Sequence, residues 1–77
     1  MRLDIISFGQ IASVTGDNFV LEESVENTDM LRQVLQQHFP GLATMKYALA
    51  VDKKVIKENT VLLENATIAL LPPFSGG

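Results

Sequence analysis

Apolar and polar positions alternate near both ends of the chain and recur at helical spacing in its middle. From Arg2 to Phe8, Leu3 and Ile5 fall on one side, and Asp4, Ile6 and Phe8 on the other, which predicts a strand. Gly9 closes it, and Ile11-Ala12-Ser13-Val14 leads into a turn cluster, Thr15-Gly16-Asp17-Asn18. Asn18 to Glu22 is short and apolar enough for a second strand, paired with the first as a hairpin. Asn27-Thr28-Asp29 then reads as a helix start, with a side chain to cap free N–H groups and a carboxylate at the positive end of the dipole. Leu31, Val34, Leu35 and His38 recur at helical spacing, while Arg32, Gln33, Gln36 and Gln37 face away. Pro40-Gly41 ends the helix.

Beyond it, Tyr47 to Val51 predicts a third strand, Asp52-Lys53-Lys54 a turn, and Val55-Ile56 a return. Glu64-Asn65-Ala66 makes another turn before Thr67 to Leu71, a strongly apolar strand of the kind buried between neighbours. A hairpin, a helix and further strands predict an α+β domain, with one helix packed across one sheet. At 77 residues there is room for a single core, and the apolar content of 47% is that of a folded protein. The expected division is a domain over residues 1–71 and an extended tail over 72–77.

Composition removes several functions. With no cysteine there is no disulfide, no thiolate metal site and no cysteine nucleophile. A net charge of −3 with scattered basic residues disfavours nucleic acid, which needs a clustered basic face. Asp4 and Ser7 interrupt the first apolar run too early for a signal-peptide core, and no stretch is long enough to span a bilayer. The expectation is a soluble, cytoplasmic protein that binds no metal and no cofactor of its own. Adjacent acidic residues such as Glu22-Glu23 point to different sides of an extended chain and read as solvated charges. His38, the only histidine, reads as a helix-end residue at the edge of the core.

What chemistry remains lies in the ending, "LLPPFSGG". Pro72-Pro73 should stop sheet pairing and hold the following residues extended. The six residues from Pro72 to Gly77 then reach on the order of 20 Å. Gly76-Gly77 lacks Cβ atoms and can thread a channel too narrow for other residues, while Phe74 suits a partner's groove. A terminal carboxylate is ionised at neutral pH and is a poor acyl donor until an enzyme converts it to a mixed anhydride.

The order of elements and the final Gly-Gly resemble the ubiquitin-like β-grasp proteins, in which one mixed sheet carries a helix across it. More narrowly, "LLPPFSGG" and the opening "ISFGQIASVTG" are similar to the small subunits of molybdopterin synthase. The resemblance covers essentially the whole chain and implies a non-catalytic sulfur carrier. It implies that Gly77 is adenylated by an ATP-using activating enzyme and receives sulfur from a donor system as a thiocarboxylate. It then implies insertion of Pro72, Pro73, Phe74, Ser75 and Gly76 into a large subunit, within a heterotetramer that makes molybdopterin from cyclic pyranopterin monophosphate. The same comparison makes Leu71, Phe8 and Val55 an apolar docking patch for the large subunit and the activating enzyme. A carrier for the thiamine thiazole, a modifier joined to lysines, and a β-grasp interaction module without an acyl group are the competing readings.

Overall fold

A computed structural model of the chain describes residues 2–73. Five strands form one mixed sheet: β1 (Leu3–Ser7), β2 (Asn18–Leu21), β3 (Ala48–Val51), β4 (Lys54–Val55) and β5 (Thr67–Leu71), in the order β2-β1-β5-β3-β4. β1 and β5 lie side by side in parallel at the centre, and the other pairings are antiparallel. The expected hairpin of the first two strands is present, with Leu3 opposite Leu21 and Ile6 opposite Asn18. β5 has a strand on each side, as its continuous apolar sequence predicts.

Alternation sorts the side chains between two faces. Leu3, Ile5, Leu49, Ile68 and Leu70 are fully buried and meet the helix α2 (Thr28–His38), which contributes Leu31 and Leu35. Val25, Leu42 and Leu62 close the same core from the connecting segments. The start of α2 is fixed by three side chains. Asn27 Oδ1 accepts from the Met30 N–H at 2.9 Å, Asn59 Oδ1 accepts from the Asp29 N–H at 3.0 Å, and the buried Thr28 hydroxyl accepts from the Thr60 N–H at 2.9 Å. The first two satisfy donors that a helix leaves free at its first turn, and the third ties that turn to the segment at Thr60. At its other end the Phe39 N–H donates to the Leu35 carbonyl, and Pro40 begins a short 3-10 segment, Pro40–Thr44. His38 stands half-exposed at the helix end and pairs with Glu23.

One element was not evident in the pattern. Gln10–Thr15 forms a short helix, α1, that buries Ile11 and returns the chain to β2. The Thr15 hydroxyl donates to the Ser7 hydroxyl at 2.7 Å, tying the end of α1 back to β1. The strands are also shorter than the apolar runs: Tyr47 precedes β3, and Ile56 follows β4.

The Asp52-Lys53 turn between β3 and β4 has both residues at positive φ, 48° and 75°. That is the handedness which matches a two-residue hairpin to the twist of its strands. Asp52 also bridges to β5, since its carboxylate accepts from the Thr67 N–H and its own N–H donates to the Thr67 carbonyl.

Candidate docking face and tail exit

The face of the sheet turned away from α2 carries the other set of alternating residues. The strand register lines up Ile6, Ala69, Ala50 and Val55 across β1, β5, β3 and β4. In the next row Leu71 lies opposite Ala48, and the Phe8 N–H donates to the Leu70 carbonyl at 3.1 Å, which sets Phe8 beside Leu71. Phe8 is 46% and Val55 54% exposed, and Leu71 is half-buried. The expected trio therefore sits on one open surface, with Phe8 and Leu71 adjacent and Val55 displaced toward the β4 edge.

Between them the side chains are small. Ala48, Ala50 and Ala69 form a shallow floor, so the larger apolar groups stand at its border. Ile6 and Val20, which the sequence did not single out for contact, continue the apolar surface toward β2. A groove of about 360 Å³ runs there, lined by Asp4, Ile6, Asn18 and Val20 among others. Exposed apolar groups that adjoin in this way mark an interaction surface, whereas singly scattered ones do not. The face is edged by charge, with Arg2 and Asp4 3.5 Å apart at one end and the exposed Lys53 and Lys54 at the β3–β4 turn.

The chain leaves this surface directly from β5. Pro72 is half-buried and Pro73 exposed. Pro72 lies against Gly9, where φ is +59°, and a Cβ built on Gly9 would come within 2.9 Å of the Pro72 ring at Cγ. The parallel pairing of β1 and β5 produces this contact, because both strands run to the same end of the sheet. Phe74, Ser75, Gly76 and Gly77, the rest of the expected tail, lie outside the described residues.

Among the described residues no group of three or more His, Asp or Glu side chains could hold a metal ion, and no helix is long and apolar enough to cross a membrane. Glu23 is engaged with His38. The arrangement is that of an open apolar face beside an outgoing chain end.

Three comparisons agree with this architecture. Subunit 1 of a molybdopterin converting factor, so described, from Pyrococcus furiosus superposes with a TM-score of 0.84 at 13% identity, over 96% of this chain and 99% of that one. SAMP1 from Haloferax volcanii gives 0.80 at 16% identity over the whole of both chains. At these identities the likeness speaks for the fold. A chain from the protein–protein complex of subunits 1 and 2 of molybdopterin-converting factor from Helicobacter pylori 26695 gives 0.72 at 30% identity, again over the whole of both chains. The ThiS family matches residues 5–77, nearly the full length. The chain thus has the ubiquitin-like β-grasp fold and belongs to the ThiS family of sulfur carriers.

Proposed function

We propose that this protein is the sulfur-carrier subunit of a molybdopterin synthase. The observation that carries the reading is its 30% identity, over the whole of both chains, to a chain of the Helicobacter pylori complex of subunits 1 and 2. The family match over residues 5–77 supports the carrier role itself and includes the Gly-Gly ending.

In this reading the chemistry takes place on the acyl carbon of Gly77. Its carboxylate oxygen attacks the α-phosphorus of ATP on an activating enzyme, and pyrophosphate leaves. Sulfide supplied by a donor system then attacks the acyl carbon, the acyl–oxygen bond breaks and AMP departs, which leaves a thiocarboxylate. The carrier docks on a large subunit through Leu71, Phe8 and Val55, and its tail from Pro72 to Gly77 delivers the sulfur to cyclic pyranopterin monophosphate. Two carriers serve two large subunits. The side chains that handle the pterin belong to the large subunit, in keeping with the lack of a cysteine in this chain.

Incubation with the activating enzyme, ATP and a sulfur source, followed by intact mass, tests the carrier step. The expected gain is the oxygen-to-sulfur difference on the C-terminal residue, and an unchanged mass beside an active partner would refute it. Addition of the large subunit and cyclic pyranopterin monophosphate should then yield molybdopterin. Sulfur loading without that product, but with thiazole formation by thiamine enzymes, would move the assignment to the thiamine carrier.

A further inference from the structure

We propose that Gly9 is a positioning residue for the tail, a seat against which the Pro72 ring sets the direction in which the chain leaves the sheet. Two independent features of the backbone converge there. Gly9 has φ +59° and ψ −138°, a combination that side-chain-bearing residues rarely adopt. Its missing Cβ is also the space that the Pro72 ring fills, at 2.9 Å from Cγ and 3.9 Å from Cβ and Cδ. Either feature alone would be an ordinary glycine; together they make the contact specific to a glycine facing a ring.

The place of the contact gives it consequence. Gly9 follows the central strand β1 and opens α1, so it is held on both sides by hydrogen-bonded structure. The Phe8 N–H is bonded to the Leu70 carbonyl, and the Ala12 N–H to the Gly9 carbonyl at 3.2 Å. Pro72 follows the last residue of β5 and has no N–H with which to pair. Ring contact with Gly9 replaces sheet pairing as the restraint on the first tail residue. Phe8, on the open face, is the immediate neighbour of Gly9. The seat therefore couples the angle of the tail to the surface on which a partner docks. Its importance for sulfur transfer rests on the carrier reading above; the restraint on direction does not.

The chain has no cysteine, so Ser75→Cys gives one site for a nitroxide label. Paramagnetic broadening of backbone amides then reports where the tail points. With Gly9 and Pro72 intact, the broadening should fall on one confined set of amides. Pro72→Ala should spread and weaken it, Gly9→Ala should move it to a different set, and the double variant should match Pro72→Ala. An even spread in the starting protein, or one pattern shared by all four, overturns the proposal. So does a change with Gly9→Ala when Pro72→Ala leaves the pattern as it was, since that would reflect backbone strain alone. If Gly9→Ala does not fold, an unchanged pattern in Pro72→Ala overturns it by itself.

In unlabelled chains, Gly9→Ala should slow sulfur transfer about 10- to 100-fold, the scale of a misplacement of roughly 1 Å. Removal of the ring in the double variant should return the rate to that of Pro72→Ala, and a persisting defect overturns a positioning role. Failure of the unaltered protein to accept sulfur at all would defeat the carrier reading, and the labelled chains would still decide the seat.

Discussion

Leu70 and Leu71 are neighbours in one strand, yet replacing each by alanine should have opposite consequences. Leu70 is fully buried in the core, opposite Leu49 in the register, whereas Leu71 is half-buried on the open face opposite Ala48. Truncating a fully buried leucine removes its transfer free energy and leaves a cavity, a loss of about 2–5 kcal/mol. A domain of this length has a total stability of roughly 4–12 kcal/mol at the usual value per residue. Leu70→Ala should thus lose at least about a sixth of it, and in a marginal domain most of it. At about 4–8 °C per kcal/mol for a small domain, Tm should fall by about 8–40 °C. Leu71→Ala removes only the part of the side chain already covered, about 1 kcal/mol. Its larger effect should be on binding, where truncation of a central contact residue costs more than about 1 kcal/mol, or at least fivefold in Kd for the large subunit. Urea unfolding followed by circular dichroism gives the first quantity, and titration calorimetry with the large subunit gives the second. Equal destabilisation by the two substitutions would refute the assignment of faces. A stable Leu71→Ala that binds as tightly as the unaltered chain would remove Leu71 from the docking surface.

Three other substitutions test how individual elements are held. Asn27→Ala deletes the cap that accepts the Met30 N–H and should lower stability by about 1 kcal/mol; an unchanged Tm would mean that Asn59 suffices to cap the helix. Lys53→Gly relieves a side-chain-bearing residue at φ 75° in the β3–β4 turn and should add about 0.5–1 kcal/mol, read from the urea midpoint, whereas a loss would place the turn outside the left-handed class. The Tyr47 hydroxyl is buried without a partner among the described residues, while the ring lies 5.2 Å from the Arg32 guanidinium. Tyr47→Phe keeps the ring and should leave stability unchanged or raise it by up to about 1 kcal/mol; a clear fall in Tm would show that the hydroxyl is bonded.

The elements that were legible in the sequence are those specified by short-range rules. Alternation separated Ile68 and Leu70 from Ala69 and Leu71, and the structure keeps that separation. Asn27 announced the helix and Pro40 its end, because capping and the loss of an N–H act within a few residues. The helix α1 was hidden because six residues with a single buried side chain, Ile11, make no amphipathic pattern. The seat at Gly9 had no signal in the sequence for a different reason. That contact depends on a parallel pairing between the first strand and the last, a property of the whole topology. A glycine after a strand reads as punctuation until the ring facing it is known. Likewise Ile6 and Val20 carried the ordinary pattern of strand residues, and only the lack of any element over that face among the described residues made their exposure visible. Phe8 and Val55 came from family resemblance, and the structure adds the alanine floor between them.

The central position of β5 bears on synthesis. A chain halted before Thr67 contains a β1–β2 hairpin and a β3–β4 hairpin with no strand to join them, since each pairs with β5 or with its own partner alone. Isolated two-stranded hairpins are marginal in water, so such a fragment has no cooperative sheet to protect it from proteolysis. The sheet can close only in a chain that includes β5. A truncated copy thus lacks the fold as well as the tail, and a copy with its sheet intact already carries the residues from which the tail departs.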